Sequence, residues 1–166
     1  MKKYIYFMYL LPFTSALTAE SVLDKYGDRI ELLGIPFRGP MELCQILIAI
    51  FLFIAFFQSG LDKIIDRKGN LDFLNIHFKN SPIIKLIPFM LLVLTFLELT
   101  GSLMLGYGVY YAFTSRSTLW IFYGLVVIAF TIILLFAGQR IAKDYLGAAD
   151  LVPYFILIML GIMSMY

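Results

Sequence analysis

The sequence predicts an all-α integral membrane protein, a four-transmembrane-helix bundle with an N-terminal hydrophobic segment and a short amphipathic interfacial helix. Of the 166 residues, 61% are hydrophobic and 14% are charged, whereas soluble domains average about 45–50% apolar and about 25% charged residues. The charges are concentrated at 20–42, 62–85 and 140–150. The uncharged stretches between these regions are long enough for helices that cross a bilayer.

Charge and residue counts exclude several classes of function. The net charge of +2 is too small for a nucleic-acid-binding protein. A single cysteine, Cys44, excludes an internal disulfide or a Cys-x-x-Cys site, and a single histidine, His77, excludes a bis-histidine haem site within the chain. Electrons that pass near this protein would therefore use a cofactor of a partner or a diffusible quinone.

The first 40 residues form the first of two predicted domains. Two lysines followed by the apolar stretch 4–17 resemble a secretory signal, but residues 15–20 fit a cleavage site poorly, so we expect a retained, signal-anchor-like segment. A capping-box-like start at 21–24 precedes apolar residues at helical spacing, which are Val22, Tyr26, Ile30 and Leu33. These predict an amphipathic helix, ended by Gly34-Ile35-Pro36, that lies on the membrane surface or packs over the mouth of the bundle.

The second predicted domain, 41–166, contains four spans at about 41–60, 82–106, 118–137 and 151–166. We expect the second span to end at Gly106-Tyr107-Gly108 and Asp150 to cap the fourth. Between the first two spans, a charged loop at 62–68 precedes a short interfacial helix that contains Leu71 and Leu74.

The distribution of basic residues predicts the orientation in the membrane. The loops joining spans one to two and three to four hold seven Lys and Arg residues, against four in the middle loop and the segment before span one. The positive-inside rule therefore places the basic loops in the cytoplasm, and residues 20–40 and the end of the fourth span outside. We expect the membrane to be a bacterial inner membrane.

A single carboxylate, Glu98, interrupts the second span. An ionised side chain at bilayer depth costs roughly 2.5–3.5 kcal/mol on insertion scales, so it normally faces other helices and has a partner. Helical spacing places Glu98 on one face with Thr95, Gly101, Ser102 and Gly106, which predicts that it points into the bundle. Three roles remain open: a proton-carrying or ligand-binding group at a quinone-like site, hydrogen bonding to Thr or Gln of neighbouring helices, or pairing with Lys63 or Arg140.

Four further polar residues are candidate ligand-binding residues at the cytoplasmic ends of spans one and three: Gln58, Lys63, Gln139 and Arg140. They are consistent with a polar pocket for an anionic substrate or a quinone head group. Contact of long side chains with lipid head groups explains the same pattern.

Three segments resemble motifs of the DoxX family of small four-helix membrane proteins. They are Phe56-Phe57-Gln58-Ser59-Gly60-Leu61-Asp62-Lys63, Leu97-Glu98-Leu99-Thr100-Gly101-Ser102 and Gly138-Gln139-Arg140-Ile141-Ala142-Lys143-Asp144-Tyr145. The resemblance covers about residues 41–166, and Gly-x-x-Lys after span one and Glu-x-x-Gly in span two are its firmest motifs.

The resemblance implies a membrane subunit of a larger redox complex of the respiratory type, with quinone as its cofactor and other membrane-protein subunits as partners. Such a subunit is not catalytic by itself and would contribute Glu98 for proton or ligand binding. The alternative is a non-catalytic anchor or assembly subunit that stabilises a larger membrane complex.

Overall fold

The computed structural model describes residues 30–32, 34–79, 81–115 and 117–165. The chain divides into two compact units, Met1–Leu43 and Cys44–Tyr166. The predicted signal-anchor-like segment and most of the predicted amphipathic helix lie outside the described residues.

The described part of the first unit contains a small antiparallel hairpin. Strand β1 (Ile30–Leu32) pairs with β2 (Ile35–Phe37), and Ile30 lies opposite Phe37. Gly34 has a φ of 80°, a left-handed conformation that suits glycine and a tight turn. The prediction that the amphipathic helix includes Ile30 was therefore wrong, because this residue is paired in a strand.

Four helices of membrane-spanning length and composition confirm the predicted fold class. They are α1 (Pro40–Ile65), α3 (Ile87–Ser115, preceded by the 3-10 turn Ile84–Leu86), α4 (Leu119–Ala142) and α5 (Tyr145–Met163). The predicted short helix between the first two spans is also present as α2 (Arg67–His77), which has no buried residue. The protein is thus an integral membrane protein that contacts the lipid bilayer.

The four long helices pack antiparallel to their neighbours in the order α1, α3, α4, α5, and α5 also contacts α1 through Tyr154 and Phe51. Phe53 of α1 contacts Gly106 of α3, and seven residues further along α1, Gly60 contacts Leu99, so these helices run in opposite directions. Gln45 near the start of α1 donates a hydrogen bond to the carbonyl of Ser164 after α5, at 2.7 Å. The beginning of the first span and the end of the fourth therefore lie at the same end of the bundle, as the sequence predicted.

Glycine allows α3 and α4 to approach each other closely. A Cβ atom on Gly108 would lie 2.7 Å from the backbone nitrogen of Ile121, and one on Gly124 would lie 3.0 Å from the backbone nitrogen of Leu105. Small residues permit such backbone approach between transmembrane helices. The contact fixes the height of α3, and thus of Glu98, relative to α4.

Several predicted helix ends were wrong. Helix α1 continues to Ile65, so Lys63 is helical, and α3 continues through Gly106 and Gly108 to Ser115. These glycines do not end the helix because they lie at contacts with α1 and α4, where the absence of a side chain is an advantage.

The junction between α4 and α5 also differs from the prediction. Helix α4 ends at Ala142, and Lys143 adopts a left-handed φ of 62°. Asp144 caps α5 by accepting a hydrogen bond from the Gly147 amide at 2.9 Å, so α5 begins at Tyr145 and Asp150 lies inside it. A proline, Pro153, also lies inside α5.

Candidate functional site

Glu98 lies on the buried face of α3, as its spacing predicted. Its side chain is 1% exposed, and the same face buries Gly101, Ser102 and Leu105. In the 29-residue helix, Glu98 is about 4.5 Å from the midpoint, at 1.5 Å per residue. The carboxylate is therefore deep in the bundle and enclosed by protein.

Lys63 of α1 is the charged partner of this carboxylate. Its Nζ lies 2.9 Å from Oε2 of Glu98, and it also donates to the hydroxyl of Ser59 at 2.6 Å and to the Ser59 carbonyl at 3.3 Å. An ammonium group has three N–H donors, so all of them are used within the chain. The ion pair links α1 to α3, and its positive and negative charges cancel.

This pair is one of the three arrangements that the sequence left open for Glu98. The hydroxyls of Thr95 and Ser102 do not serve it as hydrogen-bond donors, because each donates to its own helix: Thr95 to the Leu91 carbonyl and Ser102 to the Leu99 carbonyl. Arg140 instead lies over the ring of Tyr145, with its guanidinium carbon 4.7 Å from the ring centroid. Lys63 is therefore the cation that meets Glu98.

A cavity of about 200 Å³ lies beside the carboxylate and is lined by all four spans. Its polar walls are Glu98, Ser59 and Tyr154, and its apolar walls are Ala55, Phe56, Ile132, Leu135 and Leu151. Because Lys63 binds Oε2, Oε1 is the carboxylate oxygen available to a molecule in this space. A cavity of about 150 Å³ can hold a benzene ring, so the space suits several waters or a head group of one ring.

The structure distributes the predicted ligand-binding residues over several places. Lys63 is in the Glu98 site, whereas Gln58 is exposed on α1. Gln139 is half-buried near the end of α4, and Arg140 is exposed beside Tyr145. No contact found among the described residues joins these four side chains in one pocket.

Sequence reasoning missed Ser59 and Tyr154 as site residues. Ser59 had a usable signal, because it precedes Lys63 by four residues and so lies on the same helical face. Tyr154 had no such signal, since its position depends on how α5 packs against α1. Its ring makes an edge contact with Phe56, at a centroid distance of 6.2 Å.

A second polar cluster, also missed, connects α2 to the α4–α5 junction. Nε2 of His77 lies 3.2 Å from Oδ2 of Asp144 and 3.3 Å from Oε1 of Gln139. His77 is the last residue of α2 and stacks on Phe73. Within the described ranges, no group of three or more His, Cys, Asp or Glu side chains could hold a metal ion.

Comparisons of the chain with protein-family models, curated proteins and solved structures found no match. The resemblance to the DoxX family therefore depends on the three sequence segments alone.

Proposed function

We propose that this membrane protein is a DoxX-like subunit of a larger, quinone-linked redox complex, and that Glu98 binds a proton or a ligand there. The supporting observation is a deeply buried carboxylate, paired with Lys63, at the wall of a cavity that all four spans line. Ionisable residues inside a membrane are expensive and commonly mark proton or substrate pathways.

The ion pair suits a group that exchanges protons. A proton that reaches Oε1 from the cavity turns Glu98 into a neutral acid, while the Lys63 ammonium keeps its two hydrogen bonds to Ser59. Loss of that proton restores the pair. Protonation of Glu98 thus changes the net charge of the site by one unit, and the ionised form of Glu98 finds Lys63 already in place as its partner.

The cavity residues also fit the head group of a quinone, the cofactor that the family resemblance implies. A quinone supplies two-electron, two-proton redox chemistry when it is bound. Tyr154 lines the cavity and carries a hydroxyl that can donate to a quinone carbonyl. The cavity has room for one ring.

Replacing Glu98 by Gln tests this proposal, because glutamine keeps the size and hydrogen-bonding capacity but cannot carry the proton. The tagged chain is purified in mild detergent, its copurifying proteins and quinones are identified, and quinone-linked turnover of the assembly is measured. We expect turnover to fall in E98Q while the same subunits copurify. Asp72→Asn, on the exposed surface of α2, is the control for loss of a carboxylate elsewhere. Unchanged turnover in an intact assembly would refute the proposal.

A non-catalytic anchor or assembly subunit is the second candidate. This candidate is favoured because all three N–H donors of the Lys63 ammonium bind groups of the same chain. The ion pair then serves to hold α1 and α3 together. In this case E98Q would release partner subunits during purification, and turnover would decline only in proportion to the assembly that is lost.

A further inference from the structure

An apolar groove lies between α4 and α5 on the outer face of the bundle. Its volume is about 250 Å³, and its walls are Ile132, Ile133, Phe136, Leu151, Val152 and Phe155. Ile133, Phe136 and Val152 are exposed in the chain, so in a bilayer they face the lipid tails. The groove is therefore open to the hydrocarbon region.

The groove adjoins the cavity beside Glu98. Ile132 and Leu151 line both spaces, so these two side chains form the wall between them. Polarity changes across this wall, from an apolar groove to a cavity, itself partly open to the surface at Tyr154, that contains Glu98 and Ser59. An apolar groove that leads to a polar cavity fits a ligand with an apolar chain and a polar head.

We propose that the groove and the cavity together bind a single-chain amphiphile with an uncharged, hydroxyl-bearing head, which enters from the lipid between α4 and α5. This inference rests on the proposed function, because the reduced form of a quinone is an amphiphile of this class, and the inference assigns the class and an entry route to the same Glu98 site.

The charges of the site select the head group. The Lys63–Glu98 pair is neutral as a whole and already uses Oε2 and the three ammonium protons. An anionic head would meet the Glu98 carboxylate, and a cationic head would compete with Lys63. A hydroxyl can donate to Oε1 of Glu98 and accept from the Tyr154 hydroxyl, so both of its hydrogen-bonding capacities are satisfied.

The dimensions of the two spaces limit the ligand further. The cavity holds a head of about one ring. The groove is smaller than the roughly 300–1,000 Å³ of pockets that enclose drug-sized ligands, so it accommodates part of one chain, and the remainder extends into the bilayer.

The test uses the full chain in phosphatidylcholine nanodiscs and hexadecanol with a diazirine in its chain. After irradiation, labelled peptides are identified by mass spectrometry. We expect labelling at residues 132–136 and 151–155 severalfold above that at Phe89 and Phe96, which are exposed on α3. The hexadecanoate analogue, which has a carboxylate head, should show no such preference. Labelling spread evenly over the lipid-facing helices, or equal labelling by the acid, would overturn the inference.

Variants test the entry route. Leu151→Trp fills the wall between groove and cavity and should abolish the selective labelling, whereas Leu160→Trp, at an exposed position elsewhere on α5, should leave it intact. Val152→Trp, at the exposed rim of the groove, provides the same block if Leu151→Trp does not fold. Tyr154→Phe, which removes a hydroxyl from the cavity wall, should weaken hexadecanol binding about fivefold, the equivalent of one neutral hydrogen bond. Selective labelling that survives both groove variants would overturn the route, as would cross-links showing residues 4–17 of the same chain in the groove.

The two proposals can fail separately. If E98Q stops quinone-linked turnover but hexadecanol does not prefer the groove, the proposed function stands and the ligand class is wrong. If the groove is labelled selectively but turnover does not depend on Glu98, the binding site stands and the redox function is wrong.

Discussion

Lys63 and Glu98 lie 35 positions apart in the sequence, yet their side chains meet at 2.9 Å between α1 and α3. Lys63 is 16% exposed and Glu98 is 1% exposed, so the carboxylate depends more strongly on the pair than the ammonium does. The two residues must be considered together in any experiment on this site, because a change in one alters the environment of the other.

Removing the cation alone should therefore be more harmful than removing both charges. We expect Lys63→Met to cost about 3–5 kcal/mol in the free energy of unfolding, because it leaves a buried carboxylate without a partner. The double variant K63M/E98Q should be more stable than K63M. Unfolding in mixed detergent micelles measures both, with Lys68→Met, an exposed lysine of α2, as the control. Additive effects of the two substitutions would contradict an energetic coupling between the residues.

The second prediction concerns the close packing of α3 against α4 at Gly108. We expect Gly108→Ala to destabilise the bundle by about 1–3 kcal/mol, the usual cost of overpacking, because the new methyl group would meet the backbone of Ile121. Gly138→Ala is the matched control, since a Cβ there would have its nearest neighbours at 3.8 and 3.9 Å. Thermal unfolding of the two purified variants in the same detergent provides the comparison. Equal stability of both would contradict a close approach of α3 and α4 at Gly108.

The start of α5 provides a third prediction, because two aspartates compete as caps. Asp144→Ala should cost about 1 kcal/mol of stability through loss of the hydrogen bond to the Gly147 amide, together with the contact to His77. Asp150→Ala, at an exposed position inside the helix, should have little effect. Denaturant unfolding measured by circular dichroism distinguishes them, and a larger loss in the Asp150 variant would place the start of the helix near Leu151 after all.

The backbone of Lys143 leads to a prediction of increased stability. This residue has a positive φ of 62° at the end of α4, a conformation that costs residues other than glycine about 1–2 kcal/mol. Lys143→Gly should therefore raise the midpoint of thermal unfolding, whereas Lys143→Ala, which also removes the charge, should not. An equal rise in both variants would mean that the charge, and not the backbone conformation, limits stability here.

Much of the fold could be predicted because lipid imposes simple rules on sequence. Four long apolar stretches, and the helical spacing of Glu98, Gly101 and Ser102, were sufficient for the spans and for the buried face of α3. Helix ends were less predictable, since glycine serves both as a stop signal and as a contact surface. At Gly108 the helix continues because this residue contacts α4, and a contact between helices cannot be read from local sequence.

The candidate site could be predicted only in part, because its partners lie on different helices. Sequence spacing indicated that Glu98 faces other helices, but both Lys63 and Arg140 remained eligible as partners. The choice depends on the axial offset and rotation of separate helices, which local sequence does not encode. The contact of His77 with Asp144 was missed because it joins a short amphipathic helix to a turn 67 positions later in the chain, with no periodic pattern to relate them.

Pro153 makes α5 easier to bend close to the cavity beside Glu98. Proline has no amide hydrogen, so the carbonyl of Ala149 lacks its usual donor one turn along the helix. This interruption lies next to Val152 and two residues from Leu151, where the outer groove meets the inner cavity. Helices bend most readily at such positions. Leu151, which lines both the groove and the cavity, therefore lies in the turn of α5 whose backbone hydrogen bonding is interrupted, and a bend at this turn would change the separation of the two spaces.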